Sequence, residues 1–248
     1  MAELYAQSEE SLVVRYTFTL PDRPPRVHEV RMDPHTLAGP PPSGEGQPWT
    51  ALTFKQCPNC PLNTAESPQC PLAFSLIDLV QLCTDIASYD TLEVEVTTPE
   101  RTIRRQTTAQ RAVASLMGLV MATSGCPHTR VFRPMARFHL PLATEEETIY
   151  RATSMYLLAQ YFARERGWTM DAELEGLSQL YREMHKVNTC IAKRLWSVVK
   201  TDSSVNALVL LDLFSKALPD TIEDSLDEIK YLFEPVLEAM ANSNKTMT

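Results

Sequence analysis

Four of the six cysteines are each followed at once by proline: Cys57-Pro58, Cys60-Pro61, Cys70-Pro71 and Cys126-Pro127. Proline bars the residue before it from the helical region and holds it extended and stiff, so each sulfur leaves the chain in a defined direction. Two residues separate the first pair, nine follow before Cys70, and fifty-five before Cys126. If these sulfurs converge on one tetrahedral point, residues 57–126 must fold as a single unit. No other feature restricts the topology as much.

Each of the four sits at the end of an element that periodicity predicts. Cys57 and Cys60 follow a strand over Trp49 to Phe54. Cys70 takes the N-cap of a helix starting at Pro71, where the positive helix end favours a thiolate. Cys126 comes just after Gly125, which reads as the left-handed cap of a helix over Thr108 to Ser124. A filled four-thiolate set is how structural zinc is held, so Cys57, Cys60, Cys70 and Cys126 are the expected zinc ligands. An iron–sulfur cluster is the alternative cofactor, because a Cys-Pro step also closes bacterial ferredoxin motifs. Disulfide or other thiol chemistry, or no role, completes the alternatives. The zinc-knuckle pattern Cys-Pro-x-Cys-Gly is matched only in part, since Pro61 replaces the glycine and can neither adopt positive φ nor donate an amide to sulfur. His128 reads either as a substitute ligand or as a loop histidine. Cys83 and Cys190 lie among apolar residues at helical spacing and read as core thiols.

The compartment follows from cysteine usage. The start MAELYAQSEESLVV lacks the basic and apolar regions of a signal peptide. The most apolar run, Ala207 to Phe214, contains Asp212 and is far below the roughly 20 residues of a membrane span. Thiols in a chain of this kind point to a reducing, cytoplasmic setting and to metal rather than pairing. Thirty-one acids against 23 bases give a net charge of −8, which argues against nucleic acid or anionic membrane as a partner. The charge is uneven: −9 over residues 1–100, +7 over 101–143 and −6 over 144–248. The basic stretch reads as an internal complement to its flanks, or else as an anion or acidic-partner site built from Arg104, Arg105, Arg111, Arg130, Arg133 and Arg137.

Periodicity predicts an α+β fold. Val14, Tyr16, Phe18 and Leu20 alternate with polar residues, His28, Val30 and Met32 line a returning strand, and Leu92, Val94 and Val96 alternate again before a hairpin into Arg101 to Gln106. With Trp49 to Phe54 this makes about five mostly antiparallel strands, interleaved with helices over Pro71 to Ala87 and Thr108 to Ser124. Beyond Pro141 the period is helical: a capping box at Thr144 to Glu147, a helix ending at Gly167, then helices over Ala172 to Val199, Ser203 to Leu218 and Thr221 to Met240, the last interrupted by Pro235. The layout is a sheet-containing portion (1–142) carrying the cysteine site, a bundle of about four helices (143–240) packed on it, and a flexible tail (241–248). The helical half is the surface available to a protein partner.

Catalytic readings are weaker. Arg133, Arg137, His139 and Glu145 to Glu147 hold the residue types of an acid–base site or carboxylate clamp, yet capping and surface charge account for the same pattern. No phosphate loop, zinc-protease helix or nucleophile elbow occurs, and seven glycines leave little for backbone cradles. The segments FKQCPNCPL (54–62), QCPLA (69–73), TTAQRAVASLMGLVMATSGCPHTRVFRPMARFHLPLATEEETIYRATSMYLLAQYF (107–162) and SVNALVLLDLF (204–214) resemble a family of uncharacterised bacterial proteins. The resemblance covers nearly the whole chain beyond the N-terminal residues. It implies one architecture and a bacterial origin, and it brings no chemistry.

Overall fold

The structure is a computed structural model and describes residues 11–41, 43–199, 202–209, 211–212 and 226–246. It is α+β. Four antiparallel strands, β1 (Leu12–Thr19), β2 (Arg26–Met32), β3 (Thr91–Thr97) and β4 (Thr102–Thr108), form one sheet in the order β2-β1-β3-β4. Each strand pairs as its alternation requires: Tyr16 opposite His28 and Val96, Val94 opposite Phe18 and Arg105. The apolar set of each strand faces inward, with Tyr16, Phe18 and Val94 wholly buried. Burying each of these aromatic side chains is worth roughly 2–3 kcal/mol. The opposite face is charged and laddered across strands. Arg15 donates to Glu29 at 2.6 and 2.8 Å, and Arg104 pairs with Glu95. The basic stretch is therefore spent partly on its acidic flanks, as Arg104 and the Arg137–Glu100 pair at 3.3 Å show.

Against the inner face pack α1 (Pro71–Ser75), α2 (Ile77–Leu82) and α3 (Ala109–Thr123), and the short α4 (Arg133–Arg137) follows. The expected single helix from Pro71 is divided at Leu76 (φ −90°, ψ −4°), whose N–H reaches back three residues to the Ala73 carbonyl. Its buried stripe survives the break: Leu72, Leu76, Leu79, Cys83 and Ile86 are all inside.

The expected strand over Trp49 to Phe54 does not form. Pro48–Thr50 is a single 3₁₀ turn, and only Ala51 bridges to another segment, opposite Gln69. The reason is a competitor for its carbonyls. Arg194, 1% exposed, donates Nη1–H to Trp49 O (2.7 Å) and Ala51 O (2.8 Å), and Nη2–H to Leu52 O (3.1 Å). The acceptors that a ladder would need are taken by a guanidinium from 142 or more residues away.

The described residues fall into two compact units: the chain up to Leu142 with residues 183–212, and residues 143–182 with residues 226–246. Of the two long helices, α5 (Glu145–Glu165) lies in the second unit, while α6 (Glu175–Leu195) begins there and continues in the first. The start of α5 is the predicted capping box, with Glu147 N–H donating to Thr144 Oγ1 (3.2 Å) and Thr144 N–H to Glu147 Oε2 (2.7 Å). It ends in a Schellman turn: Trp168 N–H reaches Ala163 O, Gly167 N–H reaches Arg164 O, and Gly167 has φ +80°. The α5–α6 connection is tied by Asp171, which accepts from Tyr156 Oη (2.7 Å) and Gly176 N–H (2.8 Å). A Cβ at Gly176 would stand 2.0 Å from the Tyr156 hydroxyl, so only glycine fits there. In the first unit α7 (residues 203–209) begins after Asp202, whose carboxylate accepts from Ser88 N–H and Oγ at 2.9 Å each. Residues 211–212 are helical too; the rest of the helix expected over Ser203 to Leu218, and the first residues of that expected from Thr221, lie outside the described residues. A 3₁₀ turn (Lys230–Phe233) precedes α8 (Glu234–Thr246), so the last helix is divided just before Pro235.

Two expectations follow. Arg194→Met strands three buried carbonyls, and because charge-assisted bonds are each worth roughly 1.5–3 kcal/mol without adding fully, chemical denaturation should show a loss of about 3 kcal/mol. Arg194→Lys should recover little, since a point ammonium cannot fork to three acceptors. The second concerns His28, whose burial holds its pKa below the usual histidine value despite the opposing pull of Asp78. Its folded-state pKa lies under its unfolded one, so the unfolded chain takes up the proton first as pH falls. Stability should therefore drop below about pH 6.5, with a slope of at most about 1.4 kcal/mol per pH unit from this group. Urea titrations of His28→Gln should show a flatter dependence between about pH 5 and 7, and an unchanged profile would exclude His28 as the source.

Candidate functional site

The Cys-Pro steps act locally as their chemistry requires. Cys70 is the extended N-cap of α1 (φ −70°, ψ 113°) with Pro71 in the first turn, and its N–H donates to Thr50 O at 2.7 Å. Cys57 and Cys60 bracket a turn over Pro58 and Asn59 in which Cys60 N–H donates to Cys57 O at 3.1 Å. That turn is entered through Lys55 at φ +47°, a left-handed conformation that costs a side-chain-bearing residue roughly 1–2 kcal/mol.

Cys126 reaches the site by a different device from the one expected. Gly125 is not left-handed; the cap of α3 is Ser124, which is extended (φ −64°, ψ 166°), and its hydroxyl accepts from Cys126 N–H at 3.3 Å. The glycine is needed for proximity instead. A Cβ there would stand 3.1 Å from Pro71 Cβ, so its absence lets the chain carrying Cys126 lie directly on the residue after Cys70.

Three further contacts close the ring. His128 donates Nε2–H to the Asn59 carbonyl at 2.7 Å, joining the loop after Cys126 to the Cys57–Cys60 turn. This histidine is a strut between loops, neither a free loop residue nor a ligand through Nε2. Asn59 Nδ2 donates to Glu183 Oε2 at 2.7 Å, and Lys55 Nζ donates to Lys193 O at 2.5 Å, so the turn lies along α6.

The thiols meet accordingly. Cys57 is half-buried, and Cys190, Cys70 and Cys126 act on its thiol electrostatically. Burial first, then these sulfur neighbours, push the Cys57 thiol far above the ordinary cysteine range. Burial also raises Cys126, with Cys70 adding and Thr129 and His128 opposing. Cys83 is 1% exposed on the α2 stripe, raised to about 12 by burial, as its core reading requires. Cys190 is also buried, as its core reading requires. Among the described residues no group of three or more His, Cys, Asp or Glu side chains is placed to hold a metal ion.

The acid–base constellation is dispersed. Glu147 is the capping residue of α5, Arg133 donates to Thr36 O at 3.1 Å, and Arg137 pairs with Glu100. His139 Nε2 lies 2.6 Å from the hydroxyl of Tyr16, which is also 2.7 Å from Ser115 Oγ. Tyr16 is fully buried and its pKa is raised by that burial, so it is a neutral partner. This Ser115–Tyr16–His139 chain borders a cleft lined by Leu12, Thr98, Glu100, Arg101 and Arg137; its members lie 99 and 123 residues apart, and no spacing rule would have joined them.

Among the described residues no helix is long and apolar enough to cross a membrane. No curated protein and no solved structure matches the chain. A family model does, over residues 14–234, and the chain therefore belongs to a family of proteins sharing a domain of unknown function, DUF6901.

Proposed function

We propose that the protein is a metal-binding, non-enzymatic adaptor or regulatory protein of the cytoplasm, stabilised by zinc on Cys57, Cys60, Cys70 and Cys126. The observation that supports this reading is the meeting of the segments that bear these cysteines: Gly125 lies against Pro71, which joins Cys126 to Cys70, and His128 ties the loop after Cys126 to Asn59 in the Cys57–Cys60 turn. The raised affinity of the Cys57 and Cys126 thiols for protons is the cost of crowding thiols in a dry place, and a divalent cation relieves it: each thiol releases its proton as its sulfur binds. The sulfurs must draw together on the ion. The helical portion, taken as a bundle of about four helices, is the proposed partner surface. Leu158 and Phe162 on α5, more than half exposed, support that assignment.

The test is anaerobic purification with metal analysis. Colourless protein with one zinc per chain is expected. Each of Cys57→Ser, Cys60→Ser, Cys70→Ser and Cys126→Ser should lower zinc content and melting temperature together. Chelation of the wild type should lower the melting temperature by about 5–10 °C, the equivalent of roughly 2.7 kcal/mol of linkage at about 2–4 °C per kcal/mol. A brown protein with visible absorption that bleaches on reduction would replace zinc by an iron–sulfur cluster. Unchanged metal and stability in all four variants would remove the site.

A further inference from the structure

We infer that the cleft beside the Ser115–Tyr16–His139 chain is a binding site for a small carboxylate with a short apolar body, its charge held by Arg101 and Arg137. The site shares no residue with the cysteine centre and stands or falls apart from zinc.

The floor is built by strand periodicity. Leu12 pairs with Met32 at one end of the β1–β2 ladder, and Val14 follows Leu12 on the same face. These three side chains line the cleft with Ala136 of α4, and Val14, Met32 and Ala136 are buried, so the floor is apolar. The cleft holds about 150 Å³. At the roughly 10–15 Å³ that a water-sized centre occupies, that is room for on the order of ten non-hydrogen atoms.

The rim supplies the charge. The turn joining β3 to β4 is closed by Thr98 N–H donating to Arg101 O at 2.8 Å, and the Thr98 hydroxyl accepts from the N–H groups of Glu100 (3.3 Å) and Arg101 (3.2 Å). This ordered turn presents Arg101 to the cleft, and the last residue of α4 presents Arg137. Among the described residues the Arg101 guanidinium has no carboxylate partner, and Arg137 has one, Glu100 Oε1 at 3.3 Å. A guanidinium carries five N–H donors and binds a carboxylate best by two short parallel bonds. One long contact leaves Arg137 with donors for a second carboxylate, and Glu100 marks where such a group docks. Two guanidinium groups against one carboxylate in the lining are balanced by a single monoanion. Phe138 also lines the cleft, is 74% exposed, and its ring centroid lies 5.5 Å from the Arg137 guanidinium. A ligand with its carboxylate on Arg137 can therefore lay its apolar body against that ring.

The cleft is held in shape without a ligand. His139 Nε2 is 2.6 Å from the Tyr16 hydroxyl, which is 2.7 Å from Ser115 Oγ, and Ser115 Oγ accepts from Leu142 N–H at 3.0 Å. The segment after α4 is thus pinned to β1 and α3, and little ordering is needed on binding.

Benzoate has the required size and charge, and benzamide has the same shape without the charge. Titration of the full chain followed by nuclear magnetic resonance should give saturable shifts with millimolar benzoate at the amides of Leu12, Arg101 and Phe138, and none with benzamide. Arg101→Gln and Arg137→Gln should each weaken benzoate about tenfold, the size of one charge-assisted contact, while Arg130→Gln, outside the cleft, should leave it unchanged. Glu100→Gln removes the competing carboxylate and should tighten benzoate roughly two- to fivefold. Because that change runs in the opposite direction, loss of folding cannot imitate it. Absence of saturable shifts with benzoate overturns the site, as does unchanged affinity in both arginine variants or in Glu100→Gln. Equal binding of benzamide or of inorganic phosphate overturns the ligand class.

Discussion

The buried guanidinium of Arg194 organises the first unit. One side chain gathers the carbonyls of Trp49, Ala51 and Leu52, which would otherwise face an apolar interior without donors. It thereby turns an extended segment into a bracket around α6 rather than a member of the sheet. A planar fork with fixed donor directions is the side chain suited to three acceptors on adjacent peptides. Because Thr50 lies in the same bracket and accepts from Cys70 N–H, the start of α1 is set by it as well. The position of the cysteine turn along α6 follows from that geometry.

Most of the architecture was legible because it rests on local periodicity. The strands β1, β2 and β3 have one face buried in the core, and period two marks that directly. The capping box at Thr144 and the left-handed Gly167 are short-range devices with their own residue signatures. The errors lie where a distant group overrides a local preference. Trp49 to Phe54 has strand composition, but its acceptors are claimed by a residue far along the chain. Gly125 has the position of a helix cap, yet its lack of a side chain serves a contact with Pro71. A glycine looks the same in sequence whether it supplies torsional freedom or space.

In the candidate site the local part was legible: the Cys-Pro steps report backbone stiffness, and Cys70 is an extended N-cap while Cys57 and Cys60 bracket a turn. Cys83 and Cys190 were sorted with the core, where their burial places them. The ties that hold the turn against α6, Asn59 to Glu183 and Arg194 to Trp49, join residues more than a hundred positions apart and leave no local pattern.

The sheet ends in β2 on one side and β4 on the other. An open edge offers a row of unsatisfied peptide groups on which another chain can add as a strand. Here each border strand carries close charges: Arg26, Glu29 and Arg31 on β2, Arg104 and Arg105 on β4. Stacking a second copy in register along β4 would bring like guanidinium groups into apposition and strip water from them. Arg104 and Arg105 thus disfavour strand addition along that edge, a consequence that demands no ligand at all.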